Sequence, residues 1–209
     1  YELYLNTLEK HLDKYFKKHE TGKIFLLKRL IKKRMCDFYE NEKNRDFQEI
    51  LETEFSIKST IQIAGNMYNL KVKVDRIDKN VNGGLSIIDY KTGSITAPLK
   101  SGISENAEGD RREFIRKNIK SFQLPVYKYA YENKFSKSIE NCMLYSLRDG
   151  NIISLFKEKT SQDDKNNIYN ICISHLKYVI SEINGDEPFK AELYDNADCA
   201  SCPYFYLCR

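Results

Sequence analysis

Asp89 and Lys91 are the residues whose types and spacing most directly suggest chemistry. They follow residues 85–88, a short apolar stretch that is typical of a buried strand. Side chains two positions apart in a strand project to the same side, so the carboxylate and the ammonium group share a face and Tyr90 lies opposite. Alone, this pair would be interpreted as a salt bridge at the end of a strand.

A second acid is brought near this pair by a predicted hairpin. Residues 68–78 alternate between apolar and charged side chains, which predicts a strand, and Asp75 lies near its end. The Asn- and Gly-rich segment 80–85 predicts the turn, and a hairpin that turns there puts position 75 next to 89 or 90. Two carboxylates this close repel each other unless a cation lies between them. Hard divalent ions such as Mg²⁺ bind one or two carboxylates plus water.

The order of the predicted elements indicates the fold class. Helices come first, three strands follow, and then a helix, two strands and a last helix. This order predicts a single α/β or α+β domain over residues 1–209 with a mixed central sheet, and we take α/β as the fold class. Its parts are a helical N-terminal part at 1–49, a core at 50–184 and a cysteine-containing tail at 185–209. Strands are predicted at 50–63, 68–78, 85–91, 139–147 and 151–156, and helices in the core at 111–134 and 161–184.

Three short stretches are informative as a set. VKVDRID at 72–78 is followed by IIDYKTG at 87–93 and by FQLPVY at 122–127, where Gln123 and Tyr127 lie four apart on one helix face. The set resembles the PD-(D/E)xK nuclease superfamily, specifically its RecB/AddB-like exonuclease branch with the signatures G-x-x-D-R-x-D, D-Y-K-T-G and Q-L-x-x-Y. The resemblance implies a restriction-endonuclease-like fold, a mixed central sheet flanked by helices.

The resemblance assigns roles to the matching residues of the hairpin. It implies that Asp75 and Asp89 hold Mg²⁺ or Mn²⁺, with the main-chain carbonyl of Tyr90 as a further ligand. Lys91 would position or help deprotonate the attacking water and stabilise charge on the phosphate. Cleavage of a phosphodiester needs a polarised phosphate and a water held in line, and these residues could supply both.

The same resemblance implies that Gln123 and Tyr127 orient Lys91, a metal-bound water or the DNA backbone. Three features depart from the family pattern, one of which concerns the cysteines: the upstream cysteine of the family lies in a C-P context, and Cys36 does not. No glycine closely precedes Asp75, which we interpret as a tolerated variation. Family members also carry an upstream metal-binding histidine, and neither His11 nor His19 has the right sequence context. An exposed histidine on a polar face is the preferred interpretation of both.

Three of the six cysteines lie near the end of the chain, Cys199, Cys202 and Cys208 in the pattern C-x2-C-x5-C. The spacing favours ligation over disulfides and does not separate zinc from iron–sulfur. It resembles the cysteine tail of AddB-like members, where a fourth, upstream cysteine completes a 4Fe-4S cluster. Three cysteines cannot close such a cluster, so we expect an incomplete one, with zinc the less favoured alternative. The other cysteines, Cys36, Cys142 and Cys172, are predicted to be buried core residues.

Composition limits the classes of partner. The chain has 209 residues, of which 31% are charged, and its net charge of +4 is compatible with nucleic acid without requiring it. No apolar run is long enough to cross a bilayer, so we expect no membrane partner and a cytoplasmic location. Because the chain opens at Tyr1, we expect a fragment of a longer protein. Two basic groups on predicted helices are interpreted either as solvated faces or as phosphate contacts: Lys28, Arg29, Lys32, Lys33 and Arg34, and Arg111, Arg112, Arg116, Lys117 and Lys120.

The leading hypothesis is a magnesium-dependent deoxyribonuclease. We expect an exonuclease acting on DNA ends or single strands within a helicase–nuclease or repair system, with a helicase subunit or domain as partner. The alternative is an inactive relative that keeps the fold and binds DNA, which the missing histidine favours. An acid pair beside DNA phosphates argues against that alternative, because it is unfavourable without a metal. A structural protein with a zinc tail would leave the other signatures unexplained.

Overall fold

The computed structural model describes residues 1–16, 21–103 and 110–185. None of the helices in these ranges is both long and apolar enough to span a bilayer. The elements, in chain order, are α1 (Glu2–Phe16), α2 (Gly22–Lys43), β1 (Glu49–Ile63), β2 (Asn66–Lys79), β3 (Leu85–Lys91), α3 (Arg111–Asn118), α4 (Gln123–Phe135), β4 (Ile139–Ser146), β5 (Ile152–Ser154) and α5 (Gln162–Ile183).

The five strands form one mixed sheet in the order β1-β2-β3-β4-β5. The β3–β4 pair is parallel and the other three pairs are antiparallel. A parallel pair needs a crossover connection, and here the crossover carries α3 and α4. The predicted class, a mixed central sheet flanked by helices in the manner of a restriction endonuclease, is confirmed.

Two tight turns set the register of the first three strands. Ala64 and Gly65 join β1 to β2 with φ values of 47° and 85°, the left-handed conformation that hairpin turns of this kind require. Gly83 has a φ of 81° in the predicted turn between β2 and β3. Arg76 then pairs with Ile88, and the same register carried one step further puts position 75 opposite 89, as predicted.

The prediction of one helix over 111–134 is wrong, because two helices occupy that stretch. Between them Ile119 is extended, with φ −118° and ψ 103°, and forms an isolated bridge with Leu99. Pro125 explains the break, since a proline inside a long helix has no N–H for the carbonyl four residues earlier and its ring clashes there. Because α4 begins at Gln123, Pro125 falls in the first turn, where it is tolerated.

The hydrophobic core lies mainly between α4 and the sheet. Of the three cysteines predicted to be buried, Cys142 and Cys172 are fully buried. Cys36 is only half-buried, in keeping with its place on α2, where no residue is fully buried, so this part of the prediction is wrong. The other face of the sheet is covered by the end of α2, where Phe38 packs edge-on against Tyr90 and Tyr145. The core side chains under α4 include Ile57, Val74, Ile77, Ile87, Leu124, Tyr127 and Leu144.

Ile57 and Ile50 of β1 provide a matched test of this core. Ile57 is 1% exposed and Ile50 is 45% exposed. Ile57→Ala should lower the free energy of unfolding by about 2 to 5 kcal/mol, since it leaves a cavity against α4. Ile50→Ala should cost well under half of that. Urea unfolding of both variants measures the difference, and equal losses would contradict the placement of the core.

Candidate active site

The predicted site residues meet at the carboxyl end of β3. Asp89 faces α4 and is 4% exposed. The Nζ atom of Lys91 lies 2.7 Å from Oδ2 of Asp89, and the Lys91 side chain is 37% exposed. The first turn of α4 stands over this strand end, so the helix can supply further polar groups to both side chains.

Gln123, the first residue of α4, joins the two charges. Its Oε1 accepts a hydrogen bond from Lys91 Nζ at 3.0 Å, and its Nε2 donates to Asp89 Oδ1 at 2.8 Å. A side-chain amide carries an acceptor and a donor on one plane, which lets it serve an ammonium group and a carboxylate at once. Gln123 therefore fixes the positions of Lys91 and Asp89 relative to each other.

Tyr127 lies one turn further along α4 and completes this arrangement. Its hydroxyl donates to Asp89 Oδ1 at 3.1 Å and receives a hydrogen bond from Gln123 Nε2 at 2.8 Å. Burial raises the pKa of Tyr127 to about 12, and the nearby Asp89 carboxylate acts in the same direction. A phenol with the ordinary pKa of 10.0 is already neutral at pH 7, and the raised pKa extends the pH range over which this hydroxyl can donate to the carboxylate.

Asp75 reaches the site through the main chain of β3. Its Oδ2 accepts a hydrogen bond from the N–H of Tyr90 at 2.7 Å. Glu54, across from this position on β1, has a φ of 51°. The Asp75 carboxylate also lies close enough to Tyr127 to raise the pKa of its phenol.

The donor set fits a hard divalent cation. Asp89 Oδ2 is buried and accepts no hydrogen bond from the described residues, because the Lys91 ammonium group approaches it without hydrogen-bond geometry. An oxygen in this state can bind a cation. Among residues 1–16, 21–103 and 110–185, no group of three or more His, Cys, Asp or Glu side chains is placed to hold a metal. Two carboxylates with water as the remaining ligands suit Mg²⁺ or Mn²⁺.

The structure thus brings together the five predicted catalytic side chains. The carbonyl of Tyr90 as a metal ligand stays a prediction. His11 is exposed, and its Nδ1 lies 2.8 Å from the carbonyl oxygen of Thr7, so it does not reach the site. The three candidate cluster or zinc ligands Cys199, Cys202 and Cys208 lie outside the described part of the chain, and so does His19, for which an exposed position was predicted.

Sequence reasoning missed a set of paired charges on the opposite face of β2. Arg76 and Asp78 lie two apart in the DRID stretch, and this spacing on a strand could have indicated that they share a face. Their partners, Glu42 and Arg45, lie far away in the sequence. No local pattern could have found those two.

The two basic groups remain open between their two interpretations. Several of their members make ion pairs at the surface, and exposed pairs of this kind contribute about 0 to 1 kcal/mol each. A role in phosphate contact stays a prediction for both groups. The pairs are Lys28–Asp13, Lys32–Glu9, Lys117–Glu113 and Arg112–Glu182.

The pKa of Tyr127 gives a test of its burial at the site. A folded-state pKa of about 12 against an ordinary 10.0 favours the neutral phenol in the folded protein. This contribution to stability is fully present below pH 10.0 and is lost as the pH rises through about 12. Urea unfolding across that interval should show a shallower loss of stability in Tyr127→Phe than in the wild type.

The matched control is Tyr15→Phe, which removes the hydroxyl of a side chain that is 81% exposed. It should keep the wild-type dependence on pH. An unchanged slope in Tyr127→Phe would contradict the burial of this phenol.

The sequence matches the family model of the PD-(D/E)XK nuclease superfamily over residues 3–209. A solved structure titled "Crystal structure of SSO0001" is similar at 17% identity and a TM-score of 0.37, over 96% of this chain and 93% of that chain. No match was found among the curated proteins. Because the family match extends over nearly the whole sequence, the chain belongs to the PD-(D/E)XK nuclease superfamily, whose members are generally nucleases.

Proposed function

We propose that this protein hydrolyses DNA phosphodiester bonds with the help of a divalent metal ion. The observation that carries the proposal is the bridge made by Gln123, which holds Lys91 and Asp89 in one fixed arrangement beside Asp75. A salt bridge that only stabilised the end of a strand would need no side-chain amide between its two charged groups. An arrangement fixed in advance is what electrostatic catalysis requires.

Asp75 and Asp89 are the residues that would hold the metal. Asp89 contributes the buried oxygen that accepts no hydrogen bond from the described residues, and Asp75 contributes a carboxylate held in place by the Tyr90 N–H. When bound, a Mg²⁺ or Mn²⁺ ion supplies polarisation of the phosphate and activation of a water molecule. The Tyr90 carbonyl is proposed as a further ligand.

Lys91 is the proposed catalytic cation. Its ammonium group is held by Asp89 and Gln123, and its side chain keeps enough exposure, 37%, to meet a phosphate. A positive charge held at this place stabilises the negative charge that develops on the phosphate during cleavage. Tyr127 keeps Asp89 oriented by donating to its Oδ1, which leaves Oδ2 toward Lys91, and Oδ2 is the oxygen that would hold the metal.

Sequence similarity supports the more specific parts of the proposal, which concern the type of nuclease, its partner and the cysteine site. The stretches DYKTG at 89–93 and QLPVY at 123–127 resemble the RecB/AddB-like branch, which favours an exonuclease on DNA ends or single strands. We also propose a helicase partner and a role in repair or recombination. The proposal further includes an iron–sulfur or zinc site at Cys199, Cys202 and Cys208, and a single nuclease domain over residues 1–209.

A second candidate function is DNA binding without cleavage. It is favoured by the small number of protein ligands, since the described residues bring only two carboxylates to the site and no third His, Cys, Asp or Glu. Single-turnover cleavage of DNA with Mn²⁺ separates the two candidates. Product formation supports the nuclease, and tight binding without product supports the alternative.

Lys91→Ala tests the proposed chemistry directly. It should lower the rate of Mg²⁺-dependent DNA cleavage by at least about 100-fold, because a preorganised charge at the phosphate is lost. DNA binding, followed by fluorescence anisotropy, should change little. The matched control is Lys79→Ala. Lys79 lies on the neighbouring strand β2 and pairs with Leu85, at the other end of β3 from Lys91. Undiminished cleavage by Lys91→Ala would rule out the proposed role.

Metal removal tests the role of the two carboxylates. Excess EDTA should abolish cleavage, and added Mg²⁺ or Mn²⁺ should restore it in the wild type. Asp75→Asn should stay inactive after the metal is restored, because a neutral amide is a much weaker ligand for a hard cation. Full activity in EDTA would show that hydrolysis does not depend on a divalent ion.

A further inference from the structure

Four charged side chains form a closed ring on the face of the sheet opposite the candidate active site. Arg76 of β2 donates to both oxygens of Asp78, at 2.5 Å and 2.9 Å. It also donates to Glu42 of α2 at 2.5 Å. Arg45 closes the ring by donating to Asp78 at 2.7 Å and to Glu42 at 2.8 Å.

The ring is withdrawn from water. Asp78 is fully buried, and the side chains of Arg76, Glu42 and Arg45 are 6%, 13% and 13% exposed. Both guanidinium groups lie over the ring of Phe47, at 4.6 Å and 5.3 Å from its centroid. Buried charges are tolerated when every one is paired, and removing one partner leaves an uncompensated charge. Glu42 is therefore required if both arginines are to keep their positions.

Arg76 also connects the ring to β3. The same Nη1 atom that binds Glu42 donates to the hydroxyl of Tyr90 at 3.0 Å. The Tyr90 ring packs edge-on against Phe38 of α2 at 5.6 Å and against Tyr145 of β4 at 5.7 Å. The orientation of the Tyr90 side chain is thus set by α2 and by the ring of charges.

The main chain of Tyr90 belongs to the candidate active site. It lies between Asp89 and Lys91, and its N–H is the hydrogen-bond donor that holds Asp75. A strand alternates its side chains between faces, so the packing of Tyr90 on one face fixes how its neighbours leave the other. A continuous path of contacts runs from Glu42 through Arg76 and Tyr90 to the Asp75 carboxylate.

We infer that Glu42 is a positioning residue of the active site: by holding Arg76 and Tyr90 from the opposite face, it sets the carboxylates for metal binding. This inference rests on the proposed nuclease function. The last turn of α2 then contributes to the site through Arg76 and Tyr90, although Glu42 itself contacts neither the proposed metal-binding carboxylates nor Lys91. Activity is then coupled to the packing of the last turn of α2 on the sheet.

Glu42→Gln tests this role, because it keeps the shape of the side chain and removes its charge. Mn²⁺ binding to the folded protein, measured by calorimetry, should weaken by about 10- to 100-fold, as is typical when a residue supporting a metal ligand is lost. The kcat for DNA cleavage at a fixed metal concentration should fall, and KM for DNA should change little. Glu42→Asp should recover part of the metal affinity.

Two controls separate positioning from general loss of stability. Glu40→Gln makes the same change on an exposed part of α2, where Glu40 pairs with Lys43, and should bind Mn²⁺ like the wild type. Cys172→Ala removes a fully buried side chain of α5, remote from the ring. It should lower Tm without changing Mn²⁺ affinity.

Tyr90→Phe keeps the test decisive if Glu42→Gln does not fold. It removes only the hydroxyl that Arg76 contacts, and it should also weaken Mn²⁺ binding and lower kcat. Wild-type Mn²⁺ affinity in folded Glu42→Gln and Tyr90→Phe would overturn the positioning role while leaving the proposed function in place. A wild-type protein that binds no Mn²⁺, or a Lys91→Ala variant that cleaves normally, would instead overturn the proposed function.

Discussion

The side-chain amide of Gln123 holds together the opposite charges of Lys91 and Asp89 at the carboxyl end of β3. Its oxygen accepts from Lys91 and its NH₂ group donates to Asp89, which α4 keeps almost fully buried. Without the amide, the carboxylate would lose a charge-assisted hydrogen bond in a place with little access to water. The start of α4 is therefore as important to the site as the strand. Pro125 helps to place that start by preventing a longer helix.

Tyr90 divides the chemistry of β3 between two faces. On one side its neighbours Asp89 and Lys91 meet α4, and on the other its ring and hydroxyl meet α2 and Arg76. On both faces, charged side chains that are shielded from water are paired with side chains of opposite charge. On one face Asp89 Oδ2 lies beside the Lys91 ammonium group and accepts no hydrogen bond from the described residues, and on the other face the buried charges of the ring are paired with one another. β3 thus contributes to the candidate active site on one face and contacts the ring of charged side chains on the other.

The sequence was informative where the physical cause is local. Alternating side chains and the Asn- and Gly-rich turn were enough to predict the hairpin register that brings Asp75 to Asp89. The four-residue spacing of Gln123 and Tyr127 predicted their shared face. The break before α4 could have been found from Pro125 alone. The partnership of Glu42 with Arg76 could not, because ion pairs between distant segments leave no periodic pattern in a single sequence.

Metal binding by Asp75 and Asp89 can be measured most directly by anomalous X-ray diffraction from crystals soaked in saturating Mn²⁺. We expect an anomalous peak at ligand distance, about 2.1 Å, from carboxylate oxygens of both Asp75 and Asp89. The peak should disappear from crystals of Asp89→Asn. Density for Mn²⁺ only at other surface carboxylates, with the Asp75–Asp89 site empty at saturation, would contradict a metal-dependent nuclease centred on these residues.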